Sequence, residues 1–98
     1  MKAQYKQTAD LTTHANPGTV KAMVAATILT RKAIFFCDEN NASGIRIGPT
    51  NVATAYLVAA GQWYVIEGQA GDKQDVIDLA DWSVKSAGAA MTYRIVYL

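Results

Sequence analysis

Four groups of side chains in this sequence have the types and spacing to do chemistry. Asp38-Glu39-Asn40-Asn41 is an oxygen-rich cluster of the kind that can cage a hard cation. A helix-flanked calcium loop needs oxygens at alternating positions, then a glycine, then a distal glutamate. Here Ala42 fills the third alternating position and no glutamate follows at the required distance, so the cluster reads as a solvated hairpin tip. Asn41-Ala42-Ser43 matches the glycosylation triplet, which without a secretory route is a chance match. Asp72, Asp75, Asp78 and Asp81 could supply paired carboxylates for acid–base work. Such a pair needs a polar partner in a cleft to separate its two pKa values. The only histidine, His14, lies in a turn-like segment distant in sequence, so the acids read as a solvated loop.

Cys37 with His14 would make a thiol nucleophile if the thiol were activated. Cys37 instead ends an apolar run and precedes Asp38 and Glu39, which raise a thiol pKa, so it reads as a buried structural cysteine. Trp63, Tyr64, Trp82, Tyr93 and Tyr97 could line a sugar-stacking face, but at strand spacing they read first as core. No residue is therefore assigned a catalytic, cofactor-binding or metal-binding role. With one histidine, one cysteine and no motif joining them, the chain is expected not to be an enzyme.

The elements that position these groups belong to one domain of 98 residues. At that size roughly 60–65% of the unfolded surface can be buried. Nine Lys and Arg stand against eight Asp and Glu, for a net charge of +1. That balance carries no basic stripe for nucleic acid or a membrane surface. Charged residues make up 17% and the apolar set 51%, an apolar balance for a small monomer that fits either an oligomer or an ordinary Ala- and Val-rich domain. A single cysteine excludes an intrachain disulfide. No charged n-region precedes an apolar h-region, so no signal peptide is expected and synthesis is placed in the cytoplasm. The longest apolar stretch, Val20 to Leu29, is too short to span a membrane and is broken by Lys21.

The clearest structural signal is Arg31 to Gly48, which reads as strand, turn cluster and returning strand, a hairpin. Lys32 to Cys37 is apolar on both of its faces, with Ile34 and Phe36 one way and Ala33, Phe35 and Cys37 the other. A sandwich strand in a monomer normally keeps one face polar, so one row is expected to meet a subunit or another protein. Before this stretch, Met1 to Asp10 fits an edge strand, an arm that orders on a neighbour, or a frayed end. Residues 1–18 as a whole form an arm and a connection, turning at Asn16-Pro17-Gly18. Thr19 to Leu29 is read as a strand over a helix, with Val20, Ala22, Val24, Ala26 and Ile28 sharing a face. Further on, Tyr56 to Val58, Gln62 to Glu67, Trp82 to Lys85 and Thr92 to Leu98 are strands, and Gly68 to Gln74 and Ser86 to Ala90 are connections. Asp75 to Asp81 fits a single helical turn. Seven or eight short strands with regular turn signals predict an all-β fold, a single antiparallel β-sandwich of jelly-roll or Greek-key type.

The order VAATILTR, NNASGIRIG, YLVAAGQWYV, DLADWSVKS and the closing TYRIVYL resembles small structural proteins of tailed bacteriophages, including capsid decoration (cement) proteins and related head or tail accessory domains. The likeness covers roughly Val20 to Leu98, and its motifs are mostly turn and core signals. It implies a β-sandwich that forms a homo-oligomer, a trimer, on the major capsid protein at the virion surface. It brings no catalytic residues and no cofactor. The expected function is to bind and stabilise the outside of a capsid. A tail or baseplate accessory role and a carbohydrate-binding β-module are the alternatives.

Overall fold

The computed structural model describes residues 6–8, 11–12, 20–49, 56–67, 76–86 and 91–98. Among them the strands are β1 (Lys6–Gln7), β2 (Leu11–Thr12), β3 (Lys21–Ala22), β4 (Leu29–Thr30), β5 (Lys32–Cys37), β6 (Ile45–Pro49), β7 (Tyr56–Val58), β8 (Trp63–Glu67), β9 (Ile77–Asp78), β10 (Trp82–Ser86) and β11 (Thr92–Tyr97). All pairings are antiparallel.

The first half of the chain pairs with the second as a nested ribbon. β1 and β2 lie on β11, β3 on β10, β4 on β9, β5 on β8 and β6 on β7. Rolling that ribbon places successive pairs in opposite sheets. The added pairings β5–β11 and β6–β10 then complete each sheet. One sheet runs β1/β2, β11, β5, β8, and the other β3, β10, β6, β7. The short β4–β9 pair marks the corner between them. This is the strand order of a jelly roll, with β1 and β2 acting as one of eight principal strands. The fold is the antiparallel all-β sandwich that the strand spacing predicts.

Alternation explains how two inner faces meet. Ala33, Phe35, Cys37, Ile66, Tyr93 and Ile95 from one sheet are buried against Ile45, Ile47, Val58 and Val84 from the other, with Met23 and Leu79 filling between. Phe35 and Tyr93 stack with centroids 5.0 Å apart. The Tyr93 hydroxyl crosses the core and donates to the Met23 carbonyl at 2.5 Å. Among the described residues every buried side-chain nitrogen or oxygen has a partner.

Two expectations are corrected, and one open alternative is decided. β5 and β6 are strands as read but do not form a hairpin: β5 pairs with β11 and β8, and β6 with β10 and β7. The turn-forming residues between them reverse the chain, but they carry it across the sandwich into the other sheet. Turn chemistry specifies a reversal, not a partner.

Thr19 to Leu29 is not one strand. β3 ends at Ala22, residues 23–26 bend, and β4 begins at Leu29. Consecutive Met23 and Val24 are both buried while Val20 and Leu29 are exposed, so no single alternating row exists. The cause is the ribbon's turn at the sandwich corner, where Met23 is held by its N–H to the Trp82 carbonyl at 2.8 Å.

The N-terminal segment does supply an edge strand, but to its own sheet. Lys6–Gln7 and Leu11–Thr12 run along β11, and the Thr8 hydroxyl accepts from Ile95 N–H at 3.1 Å. Between Gln7↔Val96 and Leu11↔Tyr93 the register steps by one residue.

Leu11–Thr12, read as part of a connection, pairs as β2, and β10 runs one residue further than read, to Ser86, because the β11 and β6 ladders extend over them. β7, β8 and β11 fall as expected, and the ladder reaches Leu98, whose N–H donates to the Lys32 carbonyl at 3.0 Å. The single helical turn read for Asp75 to Asp81 is shorter than expected: Ile77–Asp78 is strand β9, and only Leu79–Asp81 forms a 3-10 turn, capped by Asp78. The turns at Asn16-Pro17-Gly18 and Gly88 and the Gly68 to Gln74 connection lie outside the described residues. Two glycines are required by their surroundings. Gly61 sits at φ 80° in the turn into β8. A Cβ on Gly44 would lie 2.7 Å from the Val58 carbonyl oxygen, so β7 can pass there only over a glycine.

Candidate functional site

The candidate chemical clusters resolve into structural parts. Asp38 accepts from Asn40 N–H at 3.1 Å, turning the chain out of β5. The Asn41 side chain pairs with the Thr92 backbone in both directions, donating to its carbonyl at 2.8 Å and accepting from its N–H at 3.0 Å. This amide therefore acts as a one-residue strand partner at the start of β11, and the segment is not simply a solvated tip. Among the described residues no group of three or more His, Cys, Asp or Glu is placed to hold a metal ion.

Asp78 accepts from Ile28 N–H at 3.2 Å and Ala80 N–H at 3.0 Å, tying β4 to β9. Its carboxylate is engaged by these two backbone donors. Asp81 is exposed at the end of the same turn. Asp72, Asp75 and His14 lie outside the described residues. Cys37 is 3% exposed, and burial, the largest cause, pushes its thiol pKa up, with a smaller opposing pull from the Asn41 amide 3.3 Å from Sγ. A thiol in that state is a poor nucleophile.

The aromatic residues separate into three environments. Tyr93 is buried and hydrogen-bonded in the core, where desolvation holds its hydroxyl protonated far above the usual tyrosine range. Tyr97 and Trp82 are half-buried and pack on the core margin. Trp63 is 60% exposed.

Trp63 belongs to a surface that the sequence indicated through β5. On the outer side of the five-stranded sheet, Arg94, Phe36 and Trp63 form one cross-strand row, and Gln7, Val96, Ile34 and Val65 the next. Lys32 and Glu67 close the patch with an ion pair at 3.7 Å. Five of these side chains are apolar, contiguous and partly or largely open to solvent. Val65 and Val96 were not singled out by sequence. Their signal is register, because each lies directly opposite Ile34.

A second feature lies between the two sheets. Lys32, Glu67, Tyr64, Tyr56, Trp82 and Pro49 help line an open groove of about 590 Å³. Tyr56 from β7 stacks on Tyr64 from β8 with centroids 4.7 Å apart and planes at 26°. Burial first, then a hydrogen bond with Tyr56, raises the Tyr64 hydroxyl pKa. The groove thus brings together Tyr64 and Trp82 of the expected aromatic set, adds Tyr56, and leaves Trp63 on the outer face. Compared with known proteins, the chain matches no family model, no curated protein and no solved structure.

Proposed function

We propose that this chain is a non-enzymatic structural protein that self-associates through the outer face of its five-stranded sheet and, as an oligomer, coats the outside of a tailed-phage head. The observation that carries this reading is the apolar patch of Ile34, Phe36, Trp63, Val65 and Val96 on that face. Antiparallel sandwiches ordinarily turn polar side chains outward, and contiguous apolar patches mark interaction sites. A second copy suits the patch on charge. Lys32 and Glu67 satisfy each other within it, and a net charge of +1 sets little repulsion between copies.

The jelly roll is an architecture of viral capsid and lectin domains, so the fold is compatible with a shell protein without selecting one. The trimer and the capsid partner come from the sequence resemblance. An oligomer that bridges several shell subunits gains avidity, so each copy need contribute little binding energy. β1 and β2 occupy one edge of β11, so the docking proposed here uses a sheet face and not strand addition by the N-terminal segment.

The test mixes labelled protein with purified phage heads and, separately, tails, followed by electron microscopy. Regular density over the head lattice is the expected result. Density on tails alone transfers the role to a tail or baseplate accessory. Binding to neither overturns the virion reading.

A further inference from the structure

We propose that the groove between the sheets is a binding site for a neutral oligosaccharide. The inference does not depend on the shell-coating role: the groove shares Lys32, Val65 and Glu67 with the margin of the outer face, but its aromatic lining, Tyr56, Tyr64 and Trp82, lies off that patch. Its volume of about 590 Å³ is that of a small-molecule site, and its lining mixes aromatic rings with a few polar groups.

The chemistry of the lining selects the ligand class. A pyranose ring has an apolar face of C–H bonds and an equatorial rim of hydroxyls. It therefore needs a flat aromatic surface with hydrogen-bonding groups at its margin. Tyr56 offers that surface: one face of its ring is backed by the stacked Tyr64, and the mutually hydrogen-bonded phenolic pair keeps further donor and acceptor capacity at the margin. Tyr56 remains 41% exposed, so the pair is not sealed into the core. Trp82, half-buried across from Pro49 on β6, adds a ring with an indole N–H donor.

Charge then excludes the acidic sugars. Lys32 and Glu67, both on the groove lining, are paired with each other at 3.7 Å. Together they present three ammonium hydrogens and a carboxylate with no net charge, which suits hydroxyl groups better than a uronate or sulfate. An oligosaccharide rather than a single sugar is indicated because the groove is open to solvent and Lys32 and Glu67 extend the lining beyond the stacked rings.

Sequence reading offered Trp63, Tyr64, Trp82, Tyr93 and Tyr97 as a candidate sugar-stacking face, including both tryptophans. The structure separates them: Trp63 points to the outer face beside Phe36, and Trp82 lines the groove. That difference gives the test its control.

Isotope-labelled protein is titrated with cellohexaose, xylohexaose and maltohexaose, and with a hexamer of galacturonic acid as the charged comparison, while amide and aromatic resonances are followed by NMR. The expected result is that at least one neutral hexasaccharide shifts the resonances of Tyr56, Tyr64 and Trp82 in the wild-type protein, and the acidic hexamer does not. Tyr56→Ala is expected to weaken binding about ten-fold, the loss of one ring stack. Tyr56→Phe, which keeps the ring, and Trp63→Ala, which lies outside the groove, should bind within about two-fold of wild type by the same reasoning. The proposal is overturned if no neutral hexasaccharide perturbs the groove resonances at millimolar concentration. It is equally overturned if binding survives Tyr56→Ala and disappears in Trp63→Ala, which would move the platform to the outer face. The wild-type shift map decides the matter even if Tyr56→Ala fails to fold.

Discussion

β5 and β6 follow one another along the chain, yet they turn different kinds of surface to the outside. β6 buries Ile45 and Ile47 and exposes Arg46, which lies opposite Lys85 on β10 and Leu57 on β7. β5 buries Ala33, Phe35 and Cys37 but turns Ile34 and Phe36 outward, opposite Val65 and Trp63. Both strands sit in four-strand-wide sheets of one sandwich. Only one of the two outer faces has the composition of a surface that stays in water. The difference teaches that burial on the inner side accounts for the roll, and that the second apolar row of β5 is not needed for it; the proposed interface gives that row a use.

The comparison would break most visibly if the two rows of β5 proved energetically alike. Phe35→Ala empties a fully buried position stacked on Tyr93 and should cost about 3–5 kcal/mol in urea unfolding. Ile47→Ala, on the inner row of β6, should cost about 2–5 kcal/mol.

The inner side can be sharpened through Tyr93. Tyr93→Phe leaves the buried Met23 carbonyl without its donor and should cost about 1–3 kcal/mol. The raised hydroxyl pKa also fixes a pH dependence. Its contribution to stability is fully present below the unfolded tyrosine pKa of about 10 and is lost as pH climbs toward the folded value. Melting curves should therefore fall with alkaline pH above that point, and less steeply in Tyr93→Phe.

On the outer rows the expected effects are small, and their smallness is informative. Measured where the protein is monomeric, Phe36→Ala should cost about 1 kcal/mol or less, the scale of cross-strand pairing. Arg46→Ala should stay within about 0.5 kcal/mol of wild type.

Much of this fold is legible from residue order. Ile45-Arg46-Ile47 and Trp82 to Val84 alternate because a half-buried strand must, and Gly61 marks the turn between β7 and β8, which needs its φ of 80°. The two-faced apolarity of Lys32 to Cys37 was also visible. What local pattern could not provide was partnership. Nothing in Asp38 to Gly44 says that the strand after it joins the opposite sheet, since that depends on β8, β10 and β11 arriving later in the chain. Met23 was hidden for a similar reason. Its burial follows from a corner in the ribbon, where alternation fails, and not from its neighbours in sequence. Tyr56 escaped notice because its partner Tyr64 lies eight positions away across a turn and in the other sheet.

The central claim is that the outer face of the β5 sheet is an interface. Light scattering coupled to size exclusion, on wild type, Trp63→Lys and Arg46→Ala at micromolar concentration, tests it most directly. Wild type and Arg46→Ala should run at several times 10.5 kDa, and Trp63→Lys, with a charge set into the patch, should run as a folded monomer. A wild-type protein that is a clean 10.5 kDa monomer throughout, or a Trp63→Lys protein with the wild-type mass, would contradict it.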